Sequence, residues 1–489
     1  MGFKNLREFL EALREAGELV EIPALVDPEL EVTEIYDRIV KKEGPALLFS
    51  NVKGSSVPLA INLFGSRKRM SMALGVKDIS EIADRIHSFL DLKPPQGLFE
   101  KLAMIPKLSE LNAVLPKFVR SAPCQEKIIL AGEAKVLDGL PIIRCWPKDG
   151  GKFITFPLVI TKDPQTNQRN IGLYRMHVYD DRTTGMHWQI HKDGAEHFRK
   201  LGKGTKGRLP VACVIGADPA TMFAAACPLP PGMDELMLAG FLRKRSVELV
   251  KCKTIDLEVP AEAEIVLEGY VEEGESRLEG PFGDHTGFYS RAKDFPVFHI
   301  TCMTHRRNPV YVTTVVGRAP MEDCYMGKAI ERIFLPMIQK QFPEIADIHL
   351  PWEGAFHNCL ILSIKKSYPG QGKKIIHAVW GLGQMMFSKM IVVLDHDTNI
   401  QDMKEVSWRV LNNMDPKRDI VFSEGPLDEL DHGASKDFSG SKIGIDATRK
   451  SEAEGMERPW PEDIAMSEDI KRRVESRWRE YGLDEKYLR

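Results

Sequence analysis

The sequence lacks long apolar runs and an apolar leader. No uncharged apolar segment approaches the ~18 residues that a membrane-spanning helix requires. Residues 1–17, MGFKNLREFLEALREAG, carry charges throughout, where a secretion signal would be apolar. Leu6 stands where a myristoylation signal needs serine or threonine. These absences predict a cytoplasmic protein without an integral membrane segment, and they leave peripheral membrane contact open.

The sequence also lacks closely spaced cysteines and a large net charge of either sign. The closest of the eight cysteines are Cys213 and Cys227, so no CxxC pair exists for a zinc ribbon or a dithiol redox centre. Most cysteines lie in apolar surroundings typical of buried, reduced thiols. The 67 Lys and Arg residues nearly balance 70 Asp and Glu residues, giving a net charge of −3. This balance argues against nucleic acid as a partner.

The common catalytic motifs are absent as well. The chain has no GxxxxGK(S/T) phosphate loop, no HExxH zinc motif and no GxSxG nucleophile turn. The segment GLGQMM at 381–386 begins like a dinucleotide loop but lacks the third glycine. The chemistry must therefore depend on less generic groups of residues.

What is present is the composition of a globular protein, 489 residues long, 43% apolar and 28% charged, enough for about three domains. Helix and strand patterns alternate at both ends, and many short strands with hairpin-length turns between them predict a central antiparallel barrel. We therefore predict a mixed α/β (α+β) fold. Its parts are an N-terminal α/β domain over 1–120 with a helical connector from 93, a barrel domain over 121–319, a C-terminal α/β domain over 320–450 and a helical tail over 451–489.

Residues 170–194, NIGLYRMHVYDDRTTGMHWQIHKDG, predict a hairpin rich in polar side chains. Side chains of the same parity share one face of a strand. The sets are Arg175, His177 and Tyr179 on the first strand, and His187, Gln189 and His191 on the second. A solvated surface hairpin explains the same pattern, so the residues alone leave both interpretations open.

Two further segments could place acidic groups together. In LEGPFGDHTGFYS, residues 278–290, Glu279 and Asp284 flank a Gly-Pro turn, and paired carboxylates in one pocket push their proton affinities apart. Capping acids in an ordinary turn are the alternative. In PPGMDELMLAGFLRK, Asp234 and Glu235 begin a helix, which indicates either simple dipole matching or an oxygen ligand for a hard cation.

Together these segments resemble the UbiD family of prenylated-FMN-dependent decarboxylases. LEGPFGDHTGFYS and NIGLYR carry most of the resemblance, and blocks such as GPALLFSNVKG, LEVPAEAEIVLEGYVEEGE and GSKIGIDAT extend it over nearly the whole chain. The resemblance implies a central split barrel of flavin-reductase type and a C-terminal domain that oligomerises. It also implies non-oxidative loss of CO2 through a covalent adduct with prenylated FMN, because a carbanion on an sp2 carbon needs an electron sink.

Residue by residue, the resemblance implies a catalytic network of Arg175, Glu279 and Asp284. Asp284 would donate the proton that replaces CO2, and Glu279, ionised and paired with Arg175, would tune that proton. The implied metal ligands are Asn170, His191 and Glu235, an oxygen and imidazole set that suits Mn2+ or Mg2+. The implied flavin contacts are Leu173, Tyr174, Arg175, His187, Trp188, Gln189, Lys192, Asp193 and Lys389.

The substrate implied is a hydroxylated aromatic acid of quinone biosynthesis. Two branches fit, polyprenyl-4-hydroxybenzoate for ubiquinone and dihydroxynaphthoate for menaquinone, and RTTGMHWQIHKD, HNCLILSIKK and HAVWG favour the second. The implied partners are a flavin prenyltransferase that supplies the cofactor and further copies of the chain, as a dimer or hexamer.

Two alternatives belong to other functional classes. A metal-dependent hydrolase would use His187, His191, Glu235 and Asp284 around one ion and would need no flavin. A flavin-binding subunit of a larger carboxylase complex would bind the cofactor without turning over substrate alone.

Overall fold

The computed structural model describes residues 2–90, 114–190, 192–201, 207–230 and 232–487. Helices and strands mix throughout this part of the chain, so the predicted mixed α/β class is confirmed. No helix within it is both long enough and apolar enough to cross a membrane.

The N-terminal part is a small α/β unit. The helical period predicted for its first helix is confirmed, since Leu6, Phe9, Leu10 and Leu13 are all buried. Its four-stranded sheet is completed by Tyr311–Val312 from far along the chain. The elements are α1 (Leu6–Glu15), β1 (Leu19–Ile22), α2 (Glu31–Val40), β2 (Ala46–Phe49), β3 (Leu59–Ile61), α3 (Arg67–Ala73) and α4 (Ser80–Leu90).

The central part contains many short strands, as the sequence predicts, together with three helices. Its strands up to the site are β4 (Lys117–Phe118), β5 (Lys127–Leu130), β6 (Phe153–Ile154), β7 (Pro157–Lys162), β8 (Arg169–Leu173), β9 (Met176–His177) and β10 (Thr183–Gly185). The helices are α5 (Asp193–Arg199), α6 (Pro219–Ala224) and α7 (Glu235–Arg243). The remaining strands are β11 (Arg208–Ile215), β12 (Glu248–Lys251), β13 (Glu258–Pro260), β14 (Ile265–Glu279), β15 (Phe282–Gly283), β16 (Tyr289–Ser290), β17 (Lys293–His305) and β18 (Tyr311–Val312).

A seven-stranded sheet dominates this part, in the order β10-β17-β14-β11-β7-β8, with β5 also paired to β17. Its edge strands β10 and β8 do not pair with each other, so the described strands form no closed barrel. The flavin-reductase type of split barrel remains a prediction. The long strands β14 and β17 pair until Glu279 faces Lys293, which makes residues 280–292 the loop at the end of a hairpin.

The C-terminal part is a five-stranded sheet in the order β19-β20-β21-β23-β22 with helices on both faces. Along β20, Leu360 and Leu362 pack against α9, whereas Ile361 faces the opposite cluster. The strands are β19 (Ile345–His349), β20 (Cys359–Ile364), β21 (Met390–Asp395), β22 (Ile420–Pro426) and β23 (Ser439–Asp446). The helices are α8 (Glu322–Gln341), α9 (Gln371–Trp380), α10 (Met403–Asn413), α11 (Pro416–Asp419) and, in the tail, α12 (Glu468–Ser476).

The predicted hairpin 170–194 is only partly present. Its first strand is interrupted at 174–175, and its second strand ends at Gly185 instead of continuing as predicted. The second strand pairs with β17, and beyond Gly185 the Met186 N–H donates to the Pro296 carbonyl at 2.9 Å in the same register. The alternation of side chains along a regular strand therefore does not determine which of these side chains lie on the same surface.

The predicted connector over 93–120 falls mainly on residues 91–113, which lie outside the described residues. The prediction of a helix is wrong for the last part of this connector, because Lys117–Phe118 form a short strand that pairs parallel with Glu248–Leu249.

Candidate active site

The loop at the end of the β14–β17 hairpin carries both predicted acidic residues. Glu279 is the last residue of β14, and Asp284 directly follows β15, which pairs with β16 inside the same loop. The Asp284 N–H donates to the Phe288 carbonyl at 3.0 Å. A long hairpin with two register shifts thus holds the two carboxyl groups in a short, internally bonded turn.

A second segment, 146–150, clamps this turn from outside. The Gly150 N–H donates to the Pro281 carbonyl at 2.8 Å, and the Asp149 carboxylate accepts the Gly283 N–H at 2.8 Å. A Cβ on Gly150 would lie 2.1 Å from the Gly280 carbonyl oxygen, so no side chain fits at this position. The close approach of two backbones explains the glycine here.

Replacing Gly150 with alanine should therefore displace the acidic turn. We expect a loss of about 1–3 kcal/mol in the free energy of unfolding, the usual range for overpacking, with a fall in turnover beyond that loss. Gly381→Ala is the matched control, because its added Cβ meets no atom closer than 3.5 Å. Denaturant unfolding of both variants measures the difference, and equal stabilities would contradict the clamp.

Arg175 joins the two carboxylates. Its Nε lies 2.9 Å from Glu279 Oε1, one Nη contacts Asp284 Oδ2, and the other donates to Ser290 Oγ at 3.2 Å. Its guanidinium carbon also stands 4.6 Å from the Phe282 ring centre. The side chains of Arg175, Glu279 and Asp284 are only 10%, 0% and 6% exposed, so the three predicted catalytic residues form one buried ionic cluster.

Both carboxyl groups are held ionised in this arrangement. Burial opposes ionisation of Glu279, but the His187 imidazole, with Nδ1 at 2.7 Å from Oε1, and the Arg175 guanidinium outweigh burial and lower its pKa. Burial also opposes ionisation of Asp284, yet Arg175 and His285 lower its pKa further below the usual range. Asp284 must therefore gain a proton during any cycle in which it acts as an acid.

One oxygen of Glu279 remains available. Its Oε2 is buried and has no hydrogen-bond partner among the described residues. An unpaired buried carboxylate oxygen is costly unless a bound group compensates it. This oxygen thus marks a place for a ligand beside Arg175.

Two histidines that sequence reasoning assigned no role complete the surroundings of Asp284. His285 Nδ1 lies 2.9 Å from Asp284 Oδ1, and its Nε2 lies 2.8 Å from His357 Nε2 in the C-terminal part. The one signal for His285 in the sequence is that it directly follows Asp284 in GDHTG. No local signal marks His357, which is 72 residues away.

Two of the three predicted metal ligands, Asn170 and Glu235, lie where β8 meets α7. The Ile171 N–H donates to Glu235 Oε2 at 3.0 Å, which brings the Glu235 carboxyl beside the strand that contains Asn170. Burial, with no cation to offset it, raises the pKa of Glu235 to about 8, and Asn170 Nδ2 is buried without a described partner. His191 lies outside the described residues. A buried carboxyl that no described cation neutralises fits a divalent cation, to which Asn170 could contribute only its amide oxygen, since Nδ2 is a hydrogen-bond donor.

The other predicted cofactor contacts surround the same strand end. Trp188 Nε1 is buried without a described partner, Tyr174 is buried, and Lys192 Nζ lies 3.4 Å from Gln384 Oε1. Lys389 Nζ pairs with Asp431 Oδ1 at 2.8 Å, so it is not free for a phosphate in this arrangement. Leu173 closes β8, Asp193 begins α5, and His187 and Gln189 belong to the irregular segment after β10.

The hydrolytic metal site is not assembled. His187, Glu235 and Asp284 do not form a group that could hold a metal ion, within the part of the chain that is described. His187 instead binds Glu279, and Asp284 binds Arg175. The three described residues of the hydrolase alternative are therefore not gathered around one ion.

Known proteins match the chain over nearly its whole length. Models of the three 3-octaprenyl-4-hydroxybenzoate carboxy-lyase (UbiD) domains match residues 10–86 for the N-terminal domain, 117–319 for the Rift-related domain and 324–447 for the C-terminal domain. An uncharacterized protein of Archaeoglobus fulgidus is 50% identical over 481 residues, covering 98% of this chain and 99% of that protein.

Two solved structures are similar in fold. The closed form of Sedimentibacter hydroxybenzoicus vanillic acid decarboxylase has a TM-score of 0.85 at 26% identity, covering 99% of this chain and 100% of the other. An evolved dimeric form of the UbiD-class enzyme HmfF from Pelotomaculum thermopropionicum, in complex with prFMN, has a TM-score of 0.77 at 29% identity, covering 95% and 97%.

These matches, with the buried Arg175 cluster, define the class of the protein as a carboxy-lyase. Within that class, the chain belongs to the UbiD family. The predicted family and enzyme class are confirmed, whereas the roles of individual site residues remain predictions.

Proposed function

We propose that the chain removes CO2 from a hydroxylated aromatic acid with prenylated FMN as its cofactor, in quinone biosynthesis. The buried cluster of Arg175, Glu279 and Asp284 is the observation that carries this proposal. It combines a fixed cation, an ionised carboxylate and a second carboxyl able to carry a proton. The relatives with solved structures, one bound to prFMN and one acting on vanillic acid, support the cofactor and the substrate class.

Each residue of the cluster has a separate task. Arg175 orients the substrate side of the site and stabilises both carboxylates by charge-assisted hydrogen bonds. Glu279 stays ionised between Arg175 and His187 and directs its unpaired Oε2 at the bound ligand. Asp284 delivers a proton to the carbon that CO2 leaves. Prenylated FMN supplies a sink for the electron pair that remains on that carbon.

The cofactor and its metal would be held at the end of β8. Asn170, His191 and Glu235 would bind Mn2+ or Mg2+ and, through it, the cofactor phosphate. The buried Glu235 carboxyl beside β8, with its pKa raised to about 8, supports a cation at this position. Leu173, Tyr174, His187, Trp188, Gln189, Lys192, Asp193 and Lys389 would line the flavin in a split barrel of flavin-reductase type.

Further copies of the chain would associate through the C-terminal domain. Leu411 of α10 is 77% exposed and Phe422 of β22 is 76% exposed, so both apolar side chains are available for a contact between copies. The dimeric relative supports a homo-oligomer. For the substrate, the dihydroxynaphthoate branch is the one we favour over polyprenyl-4-hydroxybenzoate.

The test is the cofactor itself. We expect protein co-expressed with a flavin prenyltransferase to release a molecule whose mass and absorbance spectrum are those of prenylated FMN. Protein made without the prenyltransferase is the control and should carry unmodified FMN or none. The loaded protein, purified alone, should then release CO2 from hydroxylated benzoates or naphthoates. Unmodified FMN after co-expression would contradict the proposal, and binding without turnover would favour a subunit of a larger complex.

A further inference from the structure

A chain of hydrogen bonds leads from Asp284 into the C-terminal domain. Asp284 Oδ1 lies 2.9 Å from His285 Nδ1, and His285 Nε2 lies 2.8 Å from His357 Nε2. The Phe356 ring stacks on the His285 ring, with 5.3 Å between centres and planes 24° apart. The His285 ring is therefore held in place, and its contact with His357 joins the central part of the chain to the C-terminal part.

The proposed reaction requires a supply of protons. Loss of CO2 from an ionised acid, R–CO2− + H+ → R–H + CO2, consumes one proton in each turnover. Asp284 must therefore regain a proton after each donation. Only Arg175 and His285 contact its carboxylate among the described residues, and arginine does not release its proton in proteins.

We propose that His285 returns a proton to Asp284 in each cycle and that His357 of the C-terminal domain in turn supplies His285. This inference rests on the proposed decarboxylase function and assigns it two proton-relay residues.

The relay is balanced in atoms and charge. The proton on His285 Nδ1 passes to Asp284 Oδ1 while His285 Nε2 takes the proton of His357 Nε2. His357 Nδ1, which has no described hydrogen-bond partner, takes a proton that originates in solvent. Each ring then holds its other tautomer, and exchange of the ring protons with solvent restores the starting tautomers. The net result is one proton from solvent on Asp284.

The charges around the two rings favour the first transfer, from His357 to His285. Burial disfavours a charged His285, but the Asp284 carboxylate outweighs burial and raises the pKa of His285, with Asp323 and Asp428 adding to it. Burial and the charge of His285 lower the pKa of His357 to about 4. Lys192 lowers it further, whereas Asp428 and Asp431 oppose this. A proton that enters at His357 therefore moves downhill to His285.

Asp323 raises the pKa of His285, the ring of the pair that binds a proton more tightly. Both of its carboxylate oxygens are buried without a described partner, and burial raises its pKa to about 6. The charges of His285 and Asp284 act on it in opposite directions. Asp323 thus keeps negative charge beside His285 at neutral pH.

The decisive variant is His357→Gln in the holoenzyme loaded with prenylated FMN. Glutamine keeps a hydrogen-bonding group next to His285 but cannot relay a proton. Turnover of vanillate or 4-hydroxybenzoate should fall by at least about tenfold at pH 8, less than the 10²–10⁴-fold of a lost general acid because solvent can still protonate His285 slowly. Added imidazole should restore part of the rate to this variant only. His377→Gln, the same change on an exposed face of α9, should match the wild type.

A purely structural role for His357 predicts a different pattern. Wild-type turnover in His357→Gln, or a loss that imidazole does not change, would overturn the relay. Absence of CO2 release by the wild-type holoenzyme would instead count against the proposed function. Histidine-selective 15N NMR of the protein without cofactor separates the two cases: His285 should titrate above His357, and its titration should shift in His357→Gln. Independent titration of the two rings would refute the pair whatever the substrate.

Discussion

Replacing Asp284 with asparagine should lower turnover of the loaded enzyme by about 10²–10⁴-fold, the range for removing a general acid. The amide has nearly the same shape and can still accept a hydrogen bond from Arg175, but it has no proton to give to the substrate carbon. The cofactor should remain bound, because Asp284 is not among the residues assigned to hold it. CO2 release and the exchange of deuterium from D2O into the product both measure the effect.

Two controls separate proton donation from damage to the ionic cluster. Asp284→Glu restores an acid and should recover part of the lost turnover. Asp256→Asn removes a carboxylate whose side chain is 91% exposed and should leave turnover unchanged. Wild-type deuterium exchange in Asp284→Asn would remove Asp284 from the mechanism, even if its stability were altered.

Replacing Glu235 with glutamine should abolish the stabilisation of the protein by Mn2+. In the wild type, a ligand at 100 times its Kd adds about 2.7 kcal/mol to the free energy of unfolding, and the variant should lose most of this gain. The variant should also retain less flavin than the wild type. Metal content after dialysis and thermal unfolding with and without Mn2+ provide the measurement. Glu475→Gln, an exposed change on the tail helix, is the control. Unchanged metal content would refute the ligand assignment.

The same variant should alter the pH dependence of the metal-free protein. The pKa of Glu235 is raised from 4.5 to about 8 in the folded state. Between these values the folded protein keeps a proton that the unfolded chain has lost, so stability falls as pH rises from about 5 to 8 and then levels off. Glu235→Gln should lack this part of the fall. An identical slope in both proteins would show that another group is responsible.

Local patterns predicted the elements well where one periodicity is enough. The buried face of α1 and the strands on either side of α2 follow directly from the spacing of apolar residues. The polar hairpin at 170–194 did not follow its pattern, because its first strand is interrupted at 174–175 and its second strand, paired with β17, ends at Gly185. Tertiary hydrogen bonds outweigh a preference of a few polar residues for one strand face.

The candidate site could likewise be predicted from the sequence only in part. Glu279 and Asp284 are close in sequence, and a Gly-Pro turn between them is readable as a site. Arg175 lies 104 residues from Glu279, and only the family resemblance pointed to their contact. Nothing in the residues around His357 indicated that it would meet His285.

The order of its motifs was sufficient to assign this chain to a family of carboxy-lyases, because residue types and spacings carry chemical identity along the chain. Folding in three dimensions was needed to show that Arg175 holds both carboxylates ionised and that His357 reaches their cluster from another domain. The reason is physical: proton affinities and long-range contacts depend on burial, on strand register and on how separately folded units pack together. None of these is a property of a local segment.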